Sequence, residues 1–219
     1  TKLYFVEIYV NKVIFVRFIP AKEHPFYLWF FYHITRLLFA LRFHRVIVHN
    51  EYEPRRADCS IFYCNHNYWW DPLIPHYLNT RFFKQKARGM MDLRQVLKHS
   101  FFPKIGVFSV DLEHQRNVIT SLRYAVDHLE NPNASLYLFP EGTIVPVDSK
   151  PMNFKPGLAW IQKRSPKADV IPIAIYIDYS KASKPNLHIH IGKKLSDKKD
   201  FQAPLHTLLA QIKADVHTS

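Results

Sequence analysis

The segment SIFYCNHNYWWDP, residues 60–72, indicates an α/β fold because it joins a candidate strand to a candidate helix. Its first five residues, SIFYC, predict a short buried strand. Pro72 is favoured in the first turn of a helix, which makes Asp71 a candidate N-cap residue. His66 is therefore expected to leave a sheet at a strand end, in a tight loop that leads into a helix.

The spacing of His66 and Asp71 predicts that the two side chains meet. A tight loop folds the Asp71 carboxylate back toward Nδ1 of the imidazole, where it fixes the tautomer and stabilises the imidazolium. Nε2 then takes a proton from an alcohol, which is a poor nucleophile until its proton is being removed. A histidine and an aspartate five positions apart also form purely structural pairs, so this segment alone leaves both interpretations open.

A second apolar segment ends in another acidic residue. Residues 136–143, LYLFPEGT, run from a candidate strand into Glu141, which stands between a proline and Gly142. The glycine lets the backbone approach a ligand closely, and the carboxylate is able to hold a substrate hydroxyl. Burial of an unpaired charge is costly, so a carboxylate at the end of a buried strand calls for a specific role.

Together these segments resemble the glycerolipid and lysophospholipid acyltransferase family, the PlsC-like or HxxxxD acyltransferases. The resemblance is carried by His66-x4-Asp71, then FPEGT at 139–143, then VIPIA at 170–174, in the order that the family has them. The run FKPG at 154–157 is a further match. The resemblance spans roughly residues 45–195, and it is the combination of blocks that makes it specific.

The resemblance implies a function and a site. His66 would be the general base and Asp71 its orienting partner, with Glu141, Gly142 and Thr143 binding the acceptor. It also implies an acyl-CoA or acyl-carrier-protein donor, no cofactor and no metal. The implied fold is α/β, a mixed sheet flanked by helices as in glycerol-phosphate acyltransferases, with an N-terminal helical segment resting on the bilayer.

Two departures from the family pattern concern the acceptor. Ile144 stands where an arginine usually follows Gly-Thr, and Leu112 stands where the second block usually ends in Asp-Arg. Those arginines are associated with the acceptor's phosphate, which suits their bidentate geometry. The acceptor is therefore expected not to be a simple glycerol phosphate, unless a substitute cation compensates; the candidates are Lys104, Arg116 and Lys155.

The remaining pattern predicts one α/β domain preceded by a membrane-facing segment. Residues 45–219 alternate short apolar runs with helical patterns, and residues 1–44 are rich in aromatic and basic residues. The strand candidates are Arg45–His49, Ser60–Cys64, Val107–Asp111, Ser135–Phe139, Val170–Ile177 and Leu187–Ile191. The helix candidates are 25–41, 72–79, 88–99, 115–130, 155–164 and 203–215.

The helix candidate at 25–41 is expected to lie on a membrane rather than cross it. It combines aromatic and basic residues, which suit the headgroup region, and its apolar run is shorter than the about 20 residues that a spanning helix needs. A core helix of a soluble protein is the alternative. The net charge of +12 favours anionic partners: membrane surface, anionic lipid or acyl carrier protein, with no nucleic acid expected. The expected location is the cytoplasmic face of a membrane, as a peripheral protein.

Other signals are interpreted as structural. Cys59 and Cys64 have neither disulfide nor metal spacing and are expected to be packed thiols. His188 and His190 share one face of a strand, and without further ligands a solvated face is expected. Two other classes stay open: a thioesterase or other hydrolase that uses the His66–Asp71 pair, and a basic binding module whose catalytic blocks have decayed.

Overall fold

The computed structural model describes residues 18–146, 152–180 and 183–218. The first 17 residues of the predicted membrane-facing segment, 1–44, therefore lie outside the described residues. Where the description begins, Phe18 packs in the core against Phe108 and Tyr124. The backbone of Ile19 exchanges hydrogen bonds with Ser109, so this segment runs along the edge of the sheet.

A mixed seven-stranded sheet forms the centre of the fold. Its spatial order is β1-β7-β6-β2-β5-β3-β4, and every neighbouring pair is parallel except β6 with β7. The strands are β1 Val46–Asn50, β2 Ser60–Cys64, β3 Lys86–Asp92, β4 Val107–Val110, β5 Ala134–Leu138, β6 Asp169–Asp178 and β7 Asn186–Ile191.

Helices cover both faces of this sheet. They are α1 Pro25–Arg42, α2 Leu73–Leu78, α3 Leu93–Lys98, α4 Gln115–Leu129, α5 Gly157–Arg164 and α6 Gln202–Thr218. A π-helical turn, Asn79–Phe83, continues α2, and a 3₁₀ helix, Phe102–Ile105, precedes β4. Side chains of α4, α5 and α6 fill one apolar core, and side chains of α1 and α2 fill the other.

The central strand β2 is buried along its whole length, as its apolar sequence predicts. It pairs with β6 on one side and β5 on the other, so both faces of the strand are covered. β6 is longer than β2, and its second half pairs with β7 beyond the end of β2. Asn65 extends β2 by one residue, because its side chain exchanges two hydrogen bonds with the Ile175 backbone, each 2.8 Å long.

The six predicted strands and most of the predicted helices are confirmed within one or two residues, but the helix predicted at 88–99 is partly wrong. Residues 86–92 form β3, which pairs with both β4 and β5, and only Leu93–Lys98 is helical. The helix begins where Asp92 caps it, with its side chain accepting from the Arg94 N–H at 2.8 Å. Pairing on both sides outweighs the helix propensity of the methionines and arginine in this strand.

Helix α1 buries little of its apolar surface. Only Thr35 and Phe39 are buried, whereas several large apolar side chains are exposed: Phe26, Trp29, Phe30, Leu37, Leu38 and Leu41. The 3₁₀ helix and α2 lie against the opposite side of α1, where Phe31 stacks on Phe101 and Tyr32 stacks on Tyr77. Within the described ranges, no helix combines the length and apolarity that crossing a bilayer requires.

Candidate active site

The site forms where two adjacent parallel strands end. β2 and β5 are neighbours, and their carboxyl ends lie at the same edge of the sheet. His66 follows the first of these strands by two residues, and Glu141 follows the second by three. The sheet therefore brings together two segments that are 75 residues apart in the sequence (141 − 66).

Asp71 is the centre of the hydrogen-bond network in the His66 loop. Its Oδ2 lies 3.1 Å from His66 Nδ1 and also accepts from the backbone N–H groups of Asn67 at 2.7 Å and Tyr68 at 2.8 Å. The Asp71 side chain is fully buried, and these donors replace water at Oδ2, whereas Oδ1 has no hydrogen-bond partner among the described residues. The loop thus holds the carboxylate in place, and the carboxylate holds the imidazole.

The expectation that Asp71 caps α2 is wrong in detail. Pro72 is the N-cap residue, and no side chain caps the helix. The Asp71 carboxylate instead turns back into the preceding loop. The local reason is that the loop offers two backbone donors and a ring nitrogen to Oδ2, which is more than the one helical N–H that a cap would bind.

Two side chains hold the His66 ring. Nδ1 faces Asp71, the ring packs on Phe139 with centroids 4.6 Å apart, and 15% of the side chain is exposed. No hydrogen bond joins Nε2 to another side chain or backbone group of the described residues. This leaves Nε2 as the ring nitrogen available to a substrate.

Glu141 is bound to the backbone of the same loop. The residue is 7% exposed, and burial raises the pKa of its carboxyl group, while a hydrogen bond from the His66 backbone N–H and the charges of His66 and His206 lower it. Glu141 therefore links the FPEGT segment to the His66 loop. This contact gives it a supporting role beside the substrate-binding role that the resemblance implies.

Two asparagines that were not predicted as site residues, Asn65 and Asn67, form further hydrogen bonds in the loop. The Asn67 side-chain amide donates to the Val145 carbonyl at 2.6 Å and is bonded at its oxygen by Asn65. The Val145 N–H in turn donates to the His66 carbonyl at 2.8 Å. Their position on either side of His66 could have predicted this role, because short polar side chains in loops bond to nearby backbone groups.

Lys155 is the predicted substitute cation that lies at the FPEGT segment. The backbone N–H of Lys155 donates to the Pro140 carbonyl at 2.8 Å. Gly142 has a φ of +67°, and a Cβ there would lie 2.7 Å from Lys155 Nζ. The left-handed backbone favours glycine here, and a larger residue would also displace the end of the flexible Lys155 side chain. Thr143 is exposed beside it.

The other two predicted cations, Lys104 and Arg116, precede the FPEGT segment in the sequence. Arg116 is exposed in the first turn of α4, which follows the carboxyl end of β4 and so belongs to the same edge of the sheet. Lys104 lies before the amino end of β4, where its Nζ donates to the Tyr27 hydroxyl at 3.0 Å. The structure pairs Lys104 with α1 rather than with His66 or Glu141.

The two apolar residues at the family's arginine positions are both at the surface. Ile144 is 52% exposed and Leu112 is 36% exposed. Nearby, Trp69 is 71% exposed, whereas Trp70 stacks on Tyr68 with ring centroids 5.2 Å apart. Trp70 therefore packs within the loop, and Trp69 presents its ring to solvent.

This arrangement suits base-assisted attack by a hydroxyl group. A buried carboxylate orients an imidazole whose other nitrogen faces outward, which is the arrangement of the histidine in acyl-transfer sites. The two cysteines do not provide a nucleophile at this position: burial raises the pKa of the Cys64 thiol, and Cys59 bonds to the Asn131 carbonyl at the other end of β2. Of the groups described at this position, the histidine is thus the one whose chemistry suits proton transfer.

Comparisons with known proteins identify the family and the fold. The sequence model of the family described as Acyltransferase matches residues 45–176, which is more than half of the chain. No curated protein matches the chain in sequence. The solved structures that match include the crystal structure of the 1-acyl-sn-glycerophosphate (LPA) acyltransferase PlsC from Thermotoga maritima. It superimposes with a TM-score of 0.58 and 20% sequence identity, over 84% of this chain and 77% of that chain, and so shows the fold. The chain belongs to the acyltransferase family and is an acyltransferase enzyme.

Proposed function

We propose that this enzyme moves a fatty acyl group from acyl-CoA or acyl carrier protein to a hydroxyl group of a lipid-like acceptor. His66 acts as the general base and Asp71 orients it. The observation that carries the proposal is the 3.1 Å contact between His66 Nδ1 and a fully buried Asp71 Oδ2, which leaves Nε2 for the substrate.

The proposed reaction has two reactants, the thioester and the alcohol, and His66 moves the proton between them. Nε2 of His66 takes the hydroxyl proton while the acceptor oxygen attacks the thioester carbonyl carbon. The tetrahedral oxyanion collapses, the C–S bond breaks, and the leaving thiolate takes the proton from the imidazolium. The products are an ester and a free thiol, and the buried carboxylate stabilises the imidazolium formed between the two steps.

The surface residues beside the site support an acceptor other than a simple glycerol phosphate. Ile144 and Leu112 offer exposed apolar surface where a phosphate would need cationic donors. A glycosylated lipid, a polyene or a lysolipid with another headgroup fits this surface better, because a phosphate dianion gains nothing from an apolar contact.

Lys155 favours a second candidate, a lysophosphatidate acyltransferase with a compensating lysine. Its ammonium group lies at the Gly142 backbone, within the segment proposed to bind the acceptor. A lysine provides a point charge for phosphate and lacks the two-pronged geometry of arginine. Which of the two candidates is correct depends on the acceptor that the enzyme prefers.

The exposed face of α1 supports attachment to a membrane surface. Phe26, Phe30, Leu37 and Leu41 recur at helical spacing on the side away from the sheet, and Trp29 and Arg36 lie at the margin of this stripe. Apolar and aromatic groups beside basic ones suit the interface of an anionic bilayer. We therefore place the working enzyme at the cytoplasmic face of a membrane as a peripheral protein, within reach of lipid acceptors.

Thiol release from palmitoyl-CoA tests this proposal. Wild type and His66→Ala are compared in detergent with lysophosphatidate, a lysolipid with another headgroup and a glycolipid, and the acylated product is identified by mass spectrometry. The matched control is His114→Ala, because His114 also contacts an aspartate, Asp111, at 2.9 Å, but is 61% exposed. We expect acceptor-dependent release that falls about a thousandfold in His66→Ala and is retained in His114→Ala.

The acceptor profile separates the candidates. Preference for lysophosphatidate that is lost in Lys155→Gln would replace the first candidate with the second. Release that depends on His66 without any acceptor would indicate a thioesterase. Equal release by wild type and His66→Ala would overturn the assignment of the base.

A further inference from the structure

A second cluster of polar side chains lies on the far side of the sheet from the active-site loop. His49 on β1 and His190 on β7 are directly paired in the parallel register of the two strands. Glu51 follows two residues after His49, and its N–H continues the ladder by donating to the Ile191 carbonyl at 2.9 Å. Residues 49 and 51 alternate onto the same face, so all three side chains meet.

The ligand atoms of this trio converge on one carboxylate oxygen. Glu51 Oε1 lies 2.7 Å from His190 Nε2 and 3.8 Å from His49 Nε2. The three atoms all lie within 4.8 Å of one another.

From this geometry we propose that His49, Glu51 and His190 bind a zinc ion. Two imidazole nitrogens and one carboxylate oxygen are a common zinc ligand set, with a fourth position left to water. Because none of the three residues belongs to the acyl-transfer loop, the proposal is independent of the proposed function.

The distances fit zinc after small movements. Tetrahedral ligands about 2.0–2.1 Å from zinc lie about 3.3 Å apart. The 2.7 Å contact has to open slightly and the 3.8 Å contact has to close by a similar amount. His49 is able to move because its side chain is 66% exposed, whereas His190, at 11%, is fixed by the sheet.

The ammonium group of Lys193 lies close to the proposed zinc site and would repel the ion. Lys193 Nζ lies 3.6 Å from the other oxygen of Glu51, Oε2, and its side chain is 81% exposed. The contact is a surface ion pair, which is worth little and is easily given up. Since Lys193 repels a dication, removing its charge should tighten zinc binding, an effect that a purely structural cluster would not produce.

The expected fourth position faces an open groove between the edge of the sheet and α6. The groove has a volume of about 650 Å³, and its lining includes His49, His190 and His188. Contrary to the solvated face expected from the sequence, His190 is 9% exposed, and Nε2 of His188 is buried. β6 separates this region from β2 and thus from His66.

Zinc titration tests the site directly. Purified wild type stripped with chelator is titrated with Zn²⁺ against a chromophoric chelator, and Co²⁺ is then used to record the absorption of tetrahedral coordination. We expect one Zn²⁺ per chain, binding weakened by about tenfold or more in His49→Gln and in Glu51→Gln, and tighter binding in Lys193→Gln.

The matched control is His114→Gln, which alters the other described group of clustered ligands, Asp111, Glu113 and His114. We expect it to bind Zn²⁺ as wild type does. Loss of binding in His114→Gln with retention in His49→Gln would overturn the proposal, as would the absence of stoichiometric binding to folded wild type. The exposed position of His49 keeps the test valid, because its replacement should leave the unfolding temperature of the metal-free protein unchanged.

Discussion

At the scale of single residues, Asp71 links the stability of the site loop to its chemistry. One oxygen of a buried carboxylate accepts from two backbone N–H groups and faces the imidazole. Any change that alters hydrogen bonding at this oxygen therefore affects both the loop and the tautomer of His66. The side chain of Asn67 fixes the other side of the loop through the Val145 carbonyl.

The substitution Asp71→Asn should lower kcat by about a hundredfold to ten-thousandfold. An amide in place of the carboxylate no longer balances the imidazolium charge, and its NH₂ group is unable to accept from the loop. The measurement is kcat and KM for acyl transfer, with the unfolding temperature recorded alongside. KM should change much less than kcat, because orientation of the base matters most in the transition state.

Asp111→Asn is the matched control for this change. Asp111 also contacts a histidine through Oδ2, at 2.9 Å, and also accepts from a backbone N–H, that of Glu113. We expect its kcat to stay within about threefold of wild type, since the histidine of this pair is 61% exposed and is not proposed to contact the substrate. Similar losses in both aspartate variants would mean that the effect of Asp71→Asn is a general loss of stability at the edge of the sheet.

At the scale of elements, α1 and β3 illustrate two kinds of local pattern. The aromatic and basic composition of α1 predicts both a helix and an exposed apolar face, and the helix at Pro25–Arg42 has such a face. The segment that became β3 has the propensity of a helix but lies between two parallel strands. Its strand structure depends on partners that are distant in the sequence.

The double substitution Trp29→Ser and Leu37→Ser should weaken binding to anionic vesicles. Both side chains are more than half exposed, at 60% and 57%, so their removal leaves the core intact. Burial of a large apolar side chain is worth about 1.5–3 kcal/mol, and partial burial of two at an interface predicts a loss of about tenfold or more. The measurement is co-sedimentation with vesicles that contain anionic lipid, at low and moderate salt.

Tyr179→Ser serves as the control for this surface, because Tyr179 is 58% exposed and follows β6 rather than lying on α1. Its partition into vesicles should match wild type. If the α1 variant partitions as strongly as wild type, membrane attachment does not depend on the described face of α1.

At the scale of the whole molecule, the sheet and its two apolar cores enclose several titratable groups. His128 in α4 is 5% exposed, and its Nε2 lies 2.9 Å from the Lys86 carbonyl and 3.2 Å from the Ser135 carbonyl. Burial and, to a smaller extent, the charge of Arg88 lower its pKa to about 4. Burial also lowers the pKa of His76 in α2.

The free energy of unfolding should therefore decrease as the pH falls from about 6.5 to about 4. In this window the unfolded chain binds a proton at position 128 and the folded chain does not, so acid favours unfolding. The full difference is about 3 kcal/mol for His128 at most. The measurement is urea unfolding at several pH values between 7 and 4.

In His128→Gln the decrease over this range should be smaller than in wild type, because the titrating group is gone while an amide still donates to the carbonyls. The control is His44→Gln, in which an exposed histidine is replaced and the pH dependence should match wild type. An unchanged slope in His128→Gln would show that other groups cause the acid sensitivity.

The sequence by itself determined the family and the two blocks that form the site. SIFYC and LYLFPEGT place His66, Asp71 and Glu141 at strand ends because apolar runs bounded by loop residues mark buried strands. His66–Asp71 contact was predictable because a five-residue loop offers few ways to arrange a carboxylate and an imidazole. These features depend on residues close together in the chain.

Only the tertiary structure decided which strands are neighbours, and so which loops meet. It determined that Glu141 bonds to the His66 backbone, that Lys155 rather than Lys104 lies at Gly142, and that β3 is a strand. It also brought His49 to His190 across 141 positions of sequence (190 − 49). Such contacts arise from sheet pairing between distant segments, and neither hydrophobic periodicity nor local propensity encodes the order in which strands pair.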